Sequence, residues 1–199
     1  KAAEAPSGSL IEALHKRDAL LLSMLLANPL RLRNYIIMQH HNGGGHLYAR
    51  QDGQWRLRFI PSEFKNEHGA ARSAYDAPLP LALSNRIVDY LTEYRPRLVQ
   101  KHPNTPWVFP SSRSDNPWRG LSNHVYKLTK RYIPETLGFA EHSFRHLVAT
   151  DYLRKHPEDY LTVAQLLNDK LETVLREYAH LRHDDSFGRY ERHLAAIPK

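Results

Sequence analysis

The segment His142-Ser143-Phe144-Arg145 opens a run of helical pattern, and Leu166-Leu167-Asn168-Asp169-Lys170 lies downstream, leading into Leu171-Glu172-Thr173-Val174-Leu175-Arg176-Glu177-Tyr178-Ala179-His180-Leu181. These stretches carry an imidazole, a guanidinium and a phenol. A His-x-x-Arg pair is not specific by itself: with 13 His and 19 Arg in 199 residues, about 1.2 matches arise by chance. Context adds to it. The turn Gly138-Phe139-Ala140-Glu141 precedes the pair and starts a helix there, so that both side chains can face one cleft.

Working outward, Arg31 follows Asn28-Pro29-Leu30, and Lys65 begins the turn-like Lys65-Asn66-Glu67-His68-Gly69. In chain order Arg31, Lys65, His142, Arg145 and Tyr178 supply two fixed cations, a proton donor, an imidazole and a phenol nucleophile. That set is what breaking a phosphodiester without a metal would need.

The patterning around these residues is mostly helical. Ser9 with Glu12 forms a capping-box pattern, and Leu10, Leu14, Leu20, Leu21, Met24 and Leu25 follow at helical spacing, predicting a helix that Asn28-Pro29 stops near Ala27. A shorter helix is expected from Arg31 or Leu32 to Gln39. His40-His41-Asn42-Gly43-Gly44-Gly45 reads as a turn before two strand-like runs, Leu47–Arg50 and Trp55–Ile60, with a further extended segment around Tyr75–Leu81. From Ser84, expected to cap a helix with Ile87, Val88, Leu91 and Tyr94 on one side, helices dominate, at about 120–132, 143–155, 161–168, 171–180 and 186–195. Ser111 to Gly120 is a loop. The fold class expected is mainly α with a small antiparallel β-sheet.

Composition narrows the function classes. The chain is 41% hydrophobic and 25% charged, long enough for one substantial domain with a real core, and neither disordered nor membrane-embedded. Its longest apolar stretch, Ala19 to Ala27, is too short to span a bilayer. The absence of cysteine excludes disulfides and thiolate metal sites. With no apolar signal core near the N-terminus, a cytoplasmic, nucleoid-associated protein is expected. Net charge is +7 with 19 Arg against 9 Lys, a balance suited to a polyanion because guanidinium grips phosphate in a bidentate way. The cluster His40, His41 and His46 matches no standard metal spacing and no nearby carboxylate completes it, so a polar loop and no metal or cofactor are expected. Trp55, Trp107 and Trp118 are scattered and read as core or loop anchors.

The segment from His142 to Leu181 resembles the C-terminal half of the catalytic domain of tyrosine recombinases, the phage-integrase family. Members show HxxR on a helix, a later Leu-Leu-Gly-His turn, and a tyrosine nine residues beyond that turn's last residue. Here the turn reads Leu-Leu-Asn-Asp, and nine residues on from Asp169 stands Tyr178. Asn28-Pro29-Leu30-Arg31-Leu32-Arg33-Asn34 resembles the box holding the family's first catalytic arginine, and Lys65 falls on the hairpin that carries its lysine. The resemblance covers most of residues 9–193.

It implies a site-specific DNA cleaving and rejoining enzyme acting on duplex DNA without metal or ATP. Tyr178 would attack the scissile phosphate to form a 3′-phosphotyrosine. Arg31 and Arg145 would clamp the non-bridging oxygens, Lys65 would protonate the leaving 5′-oxygen, and His142 would orient or deprotonate Tyr178. Asp169 departs from the family, which usually has His or Trp there as a donor to the phosphate. An ionised carboxylate cannot donate; it would instead face Arg31 or Arg145 and hold a guanidinium in place, or be protonated in a desolvated complex. His180 is a substitute donor to consider.

Singly, each residue also has an ordinary explanation: surface cations for Arg31 and Lys65, a helix cap for His142, a bridge to Glu141 or Asp151 for Arg145, and half-packing on a helix for Tyr178. The expected organisation is a leader at 1–8, a catalytic domain at 9–183 and a tail at 184–199, packing on a neighbouring protomer of a tetrameric synapse or on its own domain. Two rival readings stand beside recombination and integration of a mobile element. One is a recombinase-fold DNA-binding protein with lost chemistry; the other is type IB topoisomerase-like strand relaxation.

Overall fold

A computed structural model describes residues 5–41, 44–64, 74–140, 142–179 and 183–197, with the backbone alone for 183–187 and 189. The first helix, α1 (Leu10–Ala27), starts as its capping residues dictate: Ser9 Oγ accepts from the Glu12 amide at 3.1 Å. The reciprocal half of the box shifts by one residue, because the Glu12 carboxylate accepts from the Gly8 amide at 2.8 Å and from Arg97 at 3.1 Å. At the other end Pro29 stops the helix, and the Tyr35 hydroxyl lies 2.8 and 2.6 Å from the Met24 and Asn28 carbonyl oxygens. Each of those carbonyls also accepts a backbone amide, Met24 from Asn28 and Asn28 from Leu30, both at 2.8 Å, so the phenol adds a second bond at a buried helix terminus.

Helix α2 (Leu32–Ile36) is shorter than its pattern predicts. The chain beyond it is drawn off to a neighbouring loop, where the Val108 amide donates to Met38 and the His40 amide donates to Pro106, both at 2.8 Å. The His-Gly turn folds as a minimal hairpin of β1 (His40–His41) and β2 (Gly44–Gly45). A three-stranded antiparallel sheet follows, β3 (Leu47–Ala49), β4 (Trp55–Phe59) and β5 (Tyr75–Pro78), with β4 central. Trp55, Leu57 and Phe59 alternate into the core, as a half-buried strand requires. The expected mixture of helices and a small sheet is what the structure shows.

The next helical stretch corrects the sequence expectation in two ways. Ser84 is not a cap: a 3₁₀ turn at Leu81–Leu83 already leads into α3 (Ser84–Asp89), and the capping position is Leu83. The helix then passes through a π-helical turn, Tyr90–Tyr94, into α4 (Arg95–Leu98). Its buried face runs Leu83, Ile87, Tyr90, Tyr94, while Val88 is 44% exposed. The buried positions follow packing against α1, and Val88 sits one residue round from that face.

The C-terminal part is α5 (Leu121–Tyr132), α6 (Ser143–Lys155), α7 (Tyr160–Leu167), α8 (Leu171–Tyr178) and α9 (His183–Ala195). Two hydrophobic clusters divide the core. The larger joins α1, α2, the sheet, α3 and α5; the smaller lies among α6, α7 and α8. Helix α6 belongs to both, with Phe144 in the first and Ala149 and Leu153 in the second. A charged network ties α1 to α5 across the larger cluster: Asp18 Oδ1 accepts from Arg17 Nη2 and lies 2.8 Å from His124 Nε2, while Arg17 also stacks on Trp118. Burial alone would raise the Asp18 carboxyl, but the His124 hydrogen bond and the Arg17 charge outweigh it and hold it below the usual range. Among the described residues no helix is long and apolar enough to cross a membrane.

Candidate active site

Arg31 lies between Leu30 and Leu32, which are 2% and 1% exposed. Its backbone is extended at the entrance to α2, so burying both leucines directs the arginine to the opposite side. Arg145 sits in the first turn of α6. The approach to that turn depends on Gly138, at φ +103, where a Cβ would meet the Tyr126 carbonyl at 2.7 Å. The Phe139 amide then donates to Thr129 Oγ1 at 2.7 Å, fixing the loop on α5.

Arg145 is 5% exposed and joins the two halves of the core. Its Nη1 donates to the Pro29 carbonyl at 2.9 Å and to the Leu167 carbonyl at 2.8 Å, and its Nη2 donates to Asp169 Oδ2 at 3.0 Å. Burial, with the Arg31 charge adding to it, brings the Arg145 guanidinium down to about 10, while Asp169 opposes the shift.

The Leu-Leu-Asn-Asp turn ends α7 in a left-handed cap. Asn168 has φ +46, a conformation Asn tolerates. The Asn168 amide donates to Gln165 and the Asp169 amide to Ala164, the paired bonds of a Schellman motif. This turn carries Asp169 to the guanidinium groups: Oδ2 accepts from Arg145 and, at 3.4 Å, from Arg31. Oδ1 accepts from the Lys170 amide at 3.1 Å.

Tyr178 closes α8, buried together with Val174 one turn earlier. Its Oη lies 2.9 Å from Nδ1 of His146. Burial raises the Tyr178 phenol above its usual range, Arg145 pulling it back and Glu177 and Asp169 pushing it further up. The phenol is therefore neutral near pH 7 and needs a base to become a nucleophile.

Arg31, His142, Arg145, Asp169 and Tyr178 all line one cavity of about 230 Å³, along with His146, Thr173 and Glu177. Lys65 and His180 lie outside the described residues. His142 holds the capping position of α6 but makes no side-chain capping bond. The imidazole on the Tyr178 hydroxyl is His146, not His142. The missed signal was helical spacing: His146 stands four residues after His142, on the same face. Arg145 bridges to Asp169, whereas Asp151 pairs with Lys155 at 2.9 Å.

The histidine turn also gains a carboxylate that its local sequence did not show. His46 Nε2 lies 2.7 Å from Glu63 Oε1, and its Nδ1 accepts from the Gln39 amide at 2.9 Å. Among the described residues no group of three or more His, Asp or Glu could hold a metal ion. Trp107 anchors a loop through its indole N–H to the Asp115 carbonyl, and Trp55 is a core residue.

No family model and no curated protein matches the sequence. Solved structures do match its fold, two recombinases among them. The crystal structure of XerA recombinase aligns with a TM-score of 0.59 and 17% identity, covering 96% of this chain and 60% of that one. XerH site-specific recombinase, in a pre-cleavage complex bound to difH substrate, aligns with a TM-score of 0.61 and 18% identity over 93% of this chain and 48% of that one. The chain thus spans between about half and three fifths of their lengths. Its mainly helical architecture, small antiparallel sheet and these alignments together establish the fold of tyrosine recombinase catalytic domains.

Proposed function

We propose that this chain cuts and rejoins duplex DNA at specific sites through a 3′-phosphotyrosine intermediate, with Tyr178 as the nucleophile. The observation that carries the reading is the shared cavity, where two guanidinium groups and a buried phenol bonded to an imidazole meet. Tyr178 Oη attacks the phosphorus and its proton passes to His146 Nδ1. The bond from phosphorus to the 5′-oxygen breaks, and the leaving oxygen takes a proton from Lys65. Arg31 and Arg145 balance the negative charge that builds on the non-bridging oxygens, help typically worth several kcal/mol. His142, on the rim of the same cavity, is a second imidazole within the site.

One phosphodiester is exchanged for another, so the ester's energy is kept and no ATP or metal is required. Attack by the 5′-hydroxyl of a different strand reverses the step and gives recombination, as in the integration of a mobile element. The net charge of +7 suits a DNA partner. We assign residues 9–183 to the catalytic unit and 184–199 to a tail that joins protomers in a tetramer on paired sites, within the cytoplasm.

A second reading, a DNA-binding protein of this fold without the chemistry, is favoured by one observation: the Asp169 carboxylate holds both arginines. The test is incubation with nicked duplexes from the DNA flanking the protein's own gene, followed by denaturing electrophoresis. An SDS-resistant adduct that disappears with Tyr178→Phe supports cleavage. A gel shift with no adduct from the unaltered protein supports the second reading.

A further inference from the structure

From the placement of Asp169 we infer that its carboxylate is a built-in occupant of the phosphate position, which a DNA phosphate must displace before Arg31 and Arg145 can clamp it. The inference rests on the cleavage reading above for the identity of the displacing anion. Its geometric basis is independent of that reading.

Both arginines converge on one oxygen, Asp169 Oδ2, at 3.0 Å from Arg145 and 3.4 Å from Arg31. Of the two terminal nitrogens of Arg145, Nη1 is already committed to the Pro29 and Leu167 carbonyls. Nη2 is the arm left for a phosphate oxygen, and it is the arm that holds Asp169. A phosphate entering with the carboxylate in place would bring two anions to the same donors, and like charges in contact repel.

The two contacts are unequal. At 3.0 Å the Arg145 bond is close to a charge-assisted hydrogen bond, whereas 3.4 Å to Arg31 is long for one. Arg31 is the looser half of the clamp, so displacement begins there. Oδ1 stays anchored on the Lys170 amide, and the side chain can therefore turn aside without leaving the site. The turn carrying it is held by the Schellman bonds to Ala164 and Gln165. Off DNA the carboxylate offsets one of the two clustered positive charges and competes with stray anions for their donors. On DNA, contacts elsewhere on the basic surface supply the energy that moves it.

The experiment titrates inorganic sulfate into the unaltered protein and into Asp169→Asn, following binding by calorimetry. Asp169→Asn should bind sulfate about tenfold more tightly or better, and adding Arg31→Gln should remove the gain. Equal or weaker sulfate binding by a folded Asp169→Asn overturns the inference. Because the substitution could weaken the fold, the unaltered protein is also followed by the carboxyl ¹³C signal of Asp169. That signal should move as sulfate saturates; sulfate binding that leaves it unmoved overturns the inference. Nicked-duplex adducts separate the two claims. A sulfate gain with no adduct from either protein sustains the displaced carboxylate and removes the cleavage reading. An adduct from the unaltered protein without a sulfate gain does the reverse.

Discussion

Arg145→Met removes a charge that is buried to 95% and bonded in three directions, so it tests whether this arginine holds the fold together as well as facing the site. Methionine has similar reach and leaves little cavity, so the cost comes from lost polar contacts. The Pro29 and Leu167 carbonyls each lose a donor, at about 1–3 kcal/mol for a buried group left unsatisfied. Asp169 keeps its longer contact to Arg31 and the bond from the Lys170 amide. Breaking a buried ion pair by removing one partner typically costs about 3–5 kcal/mol, and that is the expected loss. In a chain of 199 residues, each kcal/mol lowers the Tm by about 2–4 °C, giving a fall of roughly 6–20 °C. Urea denaturation followed by far-UV circular dichroism should show a lower midpoint with an unchanged slope. A loss below about 1 kcal/mol would refute the idea that Arg145 clasps the two clusters. One corollary is practical. Lost activity in an Arg145 variant cannot be assigned to chemistry alone, so Tyr178 and His146 are the cleaner positions for testing mechanism.

Three further outcomes follow from the same contacts. Asp18→Ala should cost about 3–5 kcal/mol in urea denaturation, because Arg17, with 6% side-chain exposure, loses its buried counter-charge; a change under 1 kcal/mol would show that Trp118 and His124 suffice to satisfy it. His146→Phe should slow adduct formation on nicked duplexes by about 10²–10⁴-fold with little change in Tm, and an unchanged rate would exclude His146 as the base. Burial holds Tyr75 up to about 12 and raises Tyr35 and Tyr90. A raised folded value means the unfolded chain ionises first, so this stability is intact below about pH 10 and is lost as pH rises. The loss should approach roughly 1 kcal/mol per buried tyrosine per pH unit above 10. Tyrosinate absorbance read alongside the urea midpoint checks it, and a midpoint that stays flat to pH 11 would contradict the burial of these phenols.

Local patterns made much of the architecture legible. Ser9 and Glu12 announced the start of α1 and Asn28-Pro29 its end, because capping and proline sterics act within a few residues. Helices α5 and α6 fell within a residue of their expected bounds, each ending two residues before a proline, Pro134 and Pro157. The π-helical turn at Tyr90–Tyr94 was not legible. Nor was the face this helix buries: packing against α1 selects Leu83, Ile87, Tyr90 and Tyr94, and Val88, one residue round from Ile87, is left 44% exposed.

The candidate site divides along the same line. From the sequence alone came the ordered set Arg31, Lys65, His142, Arg145 and Tyr178, together with Asp169 as a departure, since residue type and spacing are properties of the chain. Tertiary structure decided which of these meet. His142 and His146 share a helix face, and only the docking of α8 against α6 brings Tyr178 to the second of them. Asp169 could face either arginine by sequence, and the left-handed turn at Asn168 sets one oxygen between both. The structural role of Arg145 depends on the carbonyls of Pro29 and Leu167, 116 and 22 residues away. Such contacts join segments whose separation along the chain carries no local signal, so they exist only once both clusters have packed.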